Sequence, residues 1–264
     1  MHIHFVDPYR PGVSAVHRLD PRVKLVLALA FILATASVPV GAWPTYVLLL
    51  TLTFSGALAA ELGIGFLLRR ALLATPFVLA ALTVVFTTEG PAWLRFPLGP
   101  WVVHITYAGL ERFASIAVKS WLSVQAAILL SATTDFPALL LAMRAVRVPR
   151  LLVAIFGLMW RYLFILADEA RRLMQAREAR SADPDGRGGG SIAWRGRVTG
   201  SMAGNLFLRG MERGERVYAA MAARGYDGEV RSLPLPPLGV GSFLILVIGL
   251  ALMGGLAVLA QLVG

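Results

Sequence analysis

Between Leu25 and Ala60 the chain carries no charged side chain. A helix needs about 20 predominantly apolar residues to cross the hydrocarbon of a bilayer, so this stretch is too long for one crossing. Pro39, Gly41 and Pro44 interrupt it near the middle, where a helix cannot easily run on. It reads as a helical hairpin with spans at about 23–39 and 43–60. Composition agrees. Of 264 residues, 57% are hydrophobic and 15% charged, against roughly 25% charged in soluble domains. A water-soluble globule and a disordered chain are thereby excluded. The absence of cysteine excludes a disulfide-stapled secreted scaffold.

Three more spans complete the pattern. The third runs over about 71–88, directly after Arg69 and Arg70. The fourth, about 106–132, has Glu111 and Arg112 near its start and Lys119 further in, and the fifth, Gly239–Gly264, is uncharged. The expected fold class is an all-α membrane protein of about five transmembrane helices. It divides into a four-span region 1–133, a cytoplasmic region 134–237 and a terminal transmembrane helix 238–264.

The formal net charge of +10 would suggest nucleic acid in a soluble protein. In so apolar a chain it marks arginines held on the cytoplasmic side of a bilayer, with no nucleic-acid partner. The N-terminus, the loop of Arg69 and Arg70, and the segment 134–237 all carry excess basic charge, whereas the turn at 40–43 carries none. Five spans with a cytoplasmic N-terminus put all three basic regions on one side, as the positive-inside rule requires. The alternative counts Leu151–Ala167 as a sixth span. Arg161 at its centre costs about 2.5–3.5 kcal/mol on insertion scales, and the apolar run continues unbroken into Asp168, Glu169, Arg171 and Arg172. The preferred placement is a long helix in the interface or beneath the spans. The N-terminus does not read as a cleaved signal peptide, because Pro8, Pro11, Asp20 and Pro21 lie among its first basic residues and no small-residue cleavage site interrupts the hydrophobic run.

The segment 134–237 holds most of the functional information. Asp135-Phe136-Pro137 is a helix start, and a short helix follows to about Arg147. A second helix covers about 150–182, supported by pairs of Asp168 with Arg171 and Arg172, and of Glu169 with Arg172. The run Asp183 to Gly190 is an exposed connector. A third helix covers about 192–225, stopped at Gly225. Within it Gly200 and Gly204, and Gly210 and Gly214, are spaced by four. Each interior glycine costs about 0.5–1 kcal/mol relative to alanine, and small residues at this spacing let another helix approach closely. Together these features suggest a crossed pair of long helices facing the cytoplasm.

Both long helices end on an arginine between small residues: Ala179-Arg180-Ser181 and Ala223-Arg224-Gly225. Dipole complementation, worth about 0.3–1 kcal/mol, accounts for an arginine at a helix C-terminus. It does not account for small neighbours on both sides, twice. Small flanks let a guanidinium enter a partner's groove and pair with carboxylates or carbonyls.

The chain resembles the transmembrane T-component of energy-coupling factor (ECF) transporters, specifically the metal-uptake branch called CbiQ or NikQ. The resemblance covers nearly the whole chain. It rests on His17-Arg18-Leu19-Asp20-Pro21-Arg22-Val23-Lys24-Leu25, on Trp160-Arg161-Tyr162 and the run Glu169 to Arg180, and on Arg213 to Tyr226. Ser181 departs from the usual Ala-Arg-Gly but is still small. The resemblance implies a scaffold in a bacterial cytoplasmic membrane with no cofactor and no chemistry of its own. Its two coupling helices dock through Ala179-Arg180-Ser181 and Ala223-Arg224-Gly225 into two ATP-binding-cassette subunits. The substrate, cobalt or nickel, is bound by a separate CbiM- or NikM-like membrane subunit, with or without a small accessory one.

Other classes fare worse. A phosphate-binding loop needs G-x-x-x-x-G-K-[ST], and the two lysines, Lys24 and Lys119, follow valines. A zinc hydrolase would need a spacing such as H-E-x-x-H, which His2, His4, His17 and His104 do not offer. Asp168 and Glu169 are adjacent, so on a helix they project about 100° apart and do not converge. A self-sufficient metal carrier is the remaining alternative. Its support is His2-x-His4 beside the amino terminus, against spans with few ionisable ligands at membrane depth.

Overall fold

The computed structural model describes residues 9–98, 101–180, 191–228 and 237–263, without the side chains of 92–105. His2, His4, Ser181, the connector 183–190 and the Pro-rich run at 233–236 lie outside the described residues. The described chain forms two compact units, one of residues 147–234 and one of 4–146 with 235–264.

The larger unit is a helical membrane bundle. A short α1 (Ala15–Arg18) leads into α2 (Pro21–Ser37), which starts where Asp20 accepts the Arg22 N–H and Pro21 occupies the first turn. After the turn at Val38–Ala42 comes α3 (Trp43–Ala59), so the charge-free stretch is a helical hairpin. The third apolar segment is helical further upstream than its span. Helix α4 (Ile64–Ala71) holds Arg69 and Arg70, a 3₁₀ turn (Leu72–Ala74) follows, and α5 (Thr75–Thr87) completes it. The tightened turn has a cause. Pro76 has no N–H for the carbonyl of Leu72, so the preceding residues close i→i+3 bonds instead. On α4, Arg70 lies over the Phe66 ring at 4.8 Å and Arg10 over it at 3.8 Å.

An antiparallel hairpin, β1 (Ala92–Leu98) and β2 (Trp101–Thr106), joins α5 to α6 (Tyr107–Thr133). It is the one β feature of the described chain. The Thr106 side chain accepts the Gly109 N–H and starts α6. Helix α7 (Phe136–Ala145) begins at Asp135 with no hydrogen bond from that side chain, and the start is fixed by Pro137 instead. Helix α10 (Val240–Val263) closes the unit.

The core forms where α2, α3, α6 and α10 meet: Phe31 and Val38, Tyr46 and Leu49, Leu122 and Ala126, Leu256 and Ala260. Gly249 sets the closest approach. A Cβ there would lie 2.5 Å from a Leu27 methyl, so with this Leu27 rotamer α10 rests on α2 through the bare position.

The two lysines tie α2 and α6 together reciprocally. Lys24 Nζ donates to the carbonyl of Thr133, at the end of α6, at 2.8 Å, and to that of His17 at 3.2 Å. Lys119 Nζ, from α6, donates to Ala36 at 3.3 Å and to Val38 at the end of α2. Helix ends leave carbonyls without intrahelical partners, and in apolar surroundings an unmet carbonyl is costly. Each ammonium meets the other helix's orphan carbonyls, which explains why both charges tolerate the bundle.

The second unit contains α8 (Arg150–Arg180) and α9 (Ile192–Ala223). By length and composition, four helical stretches of the described chain can cross a bilayer: Ile64–Thr87, α6, α8 and α10. The set differs from the five anticipated spans. Helix α8 enters it despite Arg161, and α2 and α3, at 17 residues each, fall at the short end of spanning length. Apart from the β1–β2 hairpin the described chain is helical, and it is an all-α, multi-pass membrane protein.

Candidate functional site: the clamp and the tips of two long helices

Helices α8 and α9 meet through one carboxylate. Glu169 reaches Arg209 at 3.3 Å through one oxygen and Arg213 at 3.5 Å through the other. Its side chain is 16% exposed, those of Arg209 and Arg213 60% and 38%. Arg209 and Arg213 are one helical turn apart, so both forks project from the same face of α9. A shared carboxylate with both oxygens engaged holds position better than a single exposed pair, which contributes about 0–1 kcal/mol. The intrahelical pairing expected of Glu169 with Arg172 gives way to this clamp. Asp168 does pair within α8, with Arg171. Arg172 makes no ion pair with Asp168 or Glu169 and lines the cavity beside the clamp.

The predicted glycine stripe divides. Gly210 sits at the crossing, where a Cβ would lie 3.4 Å from a methyl of Leu166 on α8. Gly200, Gly204 and Gly214 have nothing within 4 Å of such an atom.

The tips have distinct constructions. Helix α8 carries Arg177 and Arg180 in its last turn, matched to the negative end of the helix dipole, and Ala179 and Arg180 are exposed. Its third motif residue, Ser181, lies outside the described residues. Helix α9 begins at Ser191, whose hydroxyl accepts the Trp194 N–H at 3.3 Å. It ends in a Schellman turn. The Tyr226 N–H donates to Met221 and the Gly225 N–H to Ala222, each at 3.0 Å. Gly225 has φ of +79°, a conformation costly for a residue with a Cβ. The glycine of Ala223-Arg224-Gly225 is therefore needed to stop the helix with Arg224 as its cap, leaving that arginine exposed at the tip. The two tip arginines each stand at the end of their own helix; the clamp, not the tips, is where the two helices join.

Glu169, Arg209 and Arg213 were not singled out together from sequence. The available signal was an arginine pair spaced by four on α9, complementary to an acid on α8. Among the described residues no three His, Asp or Glu side chains cluster to hold a metal ion.

Residues 12–234, which include both long helices, match the sequence profile of CbiQ, the cobalt transport protein family. The chain belongs to the CbiQ family. Within it, the cobalt transport protein CbiQ of Rhodobacter capsulatus is 30% identical over 90% of this chain and 89% of its own length. The energy-coupling factor transporter transmembrane protein EcfT of Lacticaseibacillus paracasei is also 30% identical, over 83% of this chain and 84% of the relative. A putative fused cobalt transport protein CbiMQ of Methanocorpusculum labreanum is 26% identical over 90% of this chain, which covers 40% of the fused protein. The CbiQ-family chain is thus a transmembrane transport component of the CbiQ and EcfT type, and its relatives are named for transport rather than catalysis.

Proposed function

We propose that this chain is the non-catalytic scaffold of an ATP-driven cobalt-uptake transporter, passing the motion of two ATP-binding-cassette subunits to a separate membrane subunit that binds the metal. The observation that carries this reading is a lever: two long helices, fastened through Glu169 and each ending on an exposed arginine. Ala179-Arg180-Ser181 and Ala223-Arg224-Gly225 each dock in one ATPase, where the planar guanidinium forks onto carboxylates or carbonyls. When the ATPases close, the tips move and the clamp carries that motion from one helix to the other. Gly200, Gly204 and Gly214, open on α9, receive a helix of the metal-binding partner, since bare positions permit close helix contact. The scaffold sits in a bacterial cytoplasmic membrane with its N-terminus and coupling helices inside, as the basic loops favour.

Cobalt is preferred to nickel or a vitamin because the family profile and the Rhodobacter capsulatus relative are both named for cobalt transport. In cells expressing the whole transporter, the double substitution Arg180→Glu and Arg224→Glu is expected to abolish cobalt accumulation and co-purification of the ATPases while membrane insertion stays normal. Undiminished uptake with unchanged ATPase content would refute the docking role. A self-sufficient carrier is distinguished by reconstituting this chain alone in vesicles. The scaffold gives no cobalt flux without its partners.

A further inference from the structure

Beside the clamp, α8 and α9 border a cavity of ≈ 320 Å³. Its polar wall is Glu169, Arg172, Arg209 and Arg213, and its apolar wall includes Ile165 and Leu173. Three guanidinium groups face one carboxylate, so the cavity keeps two unbalanced positive charges even with the clamp closed. Arg172 makes no ion pair among the described residues, and its fork is available to a ligand. Arginine forks match the oxygens of phosphate in geometry as well as charge.

We propose that this cavity binds a phosphate group, either of an anionic lipid headgroup or of a free phosphate ion. The lipid source is favoured by where the cavity falls along α8. The apolar run Leu151–Ala167 gives way to charge at Asp168, and the cavity-lining residues of α8 straddle that change, from Ile165 through Arg172 to Leu173. A hydrophobic helix meets headgroups at such a boundary, and basic pockets at that level attract anionic lipids. The apolar wall then faces the glycerol and first acyl carbons, and the guanidinium groups face the phosphate. Glu169 competes with the ligand for Arg209 and Arg213, so occupancy and clamp closure oppose each other.

The test uses the full chain in nanodiscs of phosphatidylcholine containing a minority of phosphatidylglycerol, with retained lipid counted by native mass spectrometry. A parallel titration uses inorganic phosphate. The wild type retains phosphatidylglycerol preferentially, and Arg172→Gln weakens retention about tenfold, the scale of one charge-assisted contact. Arg172 belongs to no pair that folding would lose. Glu169→Gln removes the competing anion and strengthens retention, the opposite of what loss of a purely structural clamp would do. Arg172-dependent lipid retention identifies the headgroup as the source, and Arg172-dependent binding of inorganic phosphate without lipid retention identifies the free ion. If Arg172→Gln changes neither, or Glu169→Gln lowers retention while Arg172→Gln leaves it unchanged, the proposal fails.

Discussion

Single residues decide how this chain keeps charge and irregular backbone inside an apolar bundle. Lys24 and Lys119 lie where orphan carbonyls end each other's helices, so each ammonium is solvated by the backbone. Replacing Lys119 with methionine keeps the apolar stem but strands the carbonyls of Ala36 and Val38. The expected loss is about 1 kcal/mol, the net contribution of a hydrogen bond at a part-exposed site, read as a lower Tm of the detergent-solubilised protein. An unchanged Tm would show that the bond contributes nothing. Gly225→Ala forces a Cβ into the left-handed region at the end of α9, at about 1–2 kcal/mol. It should speed hydrogen exchange at the amides of residues 225 and 226 and leave the first turns of α9 as protected as before. The sequence showed the need for Gly225 as a helix stop, since glycine commonly follows a helix end. The reciprocity of the lysines was hidden, because each bond joins residues 81 or more positions apart.

At the scale of elements, the periodicity and the Pro and Gly breaks made the helices readable. Pro39, Gly41 and Pro44 announce the turn between α2 and α3, and α6 begins within a residue of its expected start. The hairpin of β1 and β2 was not readable. Pro97 falls within β1, and proline argues against a strand unless, as in a two-stranded ribbon, one edge needs no partner. The partners of Glu169 were equally hidden. Local spacing favours Arg172, but the fold brings Arg209 from 40 positions away. Where α10 crosses α2, substituting leucine for Gly249 adds a side chain where even a Cβ meets Leu27 at 2.5 Å. Overpacking of this kind costs about 1–3 kcal/mol. A cysteine pair placed across α2 and α10 should cross-link readily in the otherwise unaltered protein and poorly in Gly249→Leu, and equal yields would show that the contact is not tight.

For the whole molecule, the division of labour follows from what each unit carries. The bundle unit is rich in apolar contacts and holds its two lysines on backbone carbonyls, as a rigid membrane anchor requires. The unit of α8 and α9 has almost no buried residue, is fastened by ionic contacts and presents arginines at its ends. Glu169→Gln should weaken the link between the helices while leaving docking at the tips intact. The expected phenotype is normal co-purification of the ATPases, continued ATP hydrolysis and at least several-fold lower cobalt uptake per ATP hydrolysed. Full uptake with normal hydrolysis would remove the clamp from the transmission path. The most direct measurement is site-specific photo-cross-linking from positions 180 and 224 in the assembled transporter. Each position is expected to cross-link to an ATP-binding-cassette subunit, and both to lose the product when the ATPases are omitted. Cross-links only to lipid or to this chain itself, with the ATPases bound and active, would contradict the account.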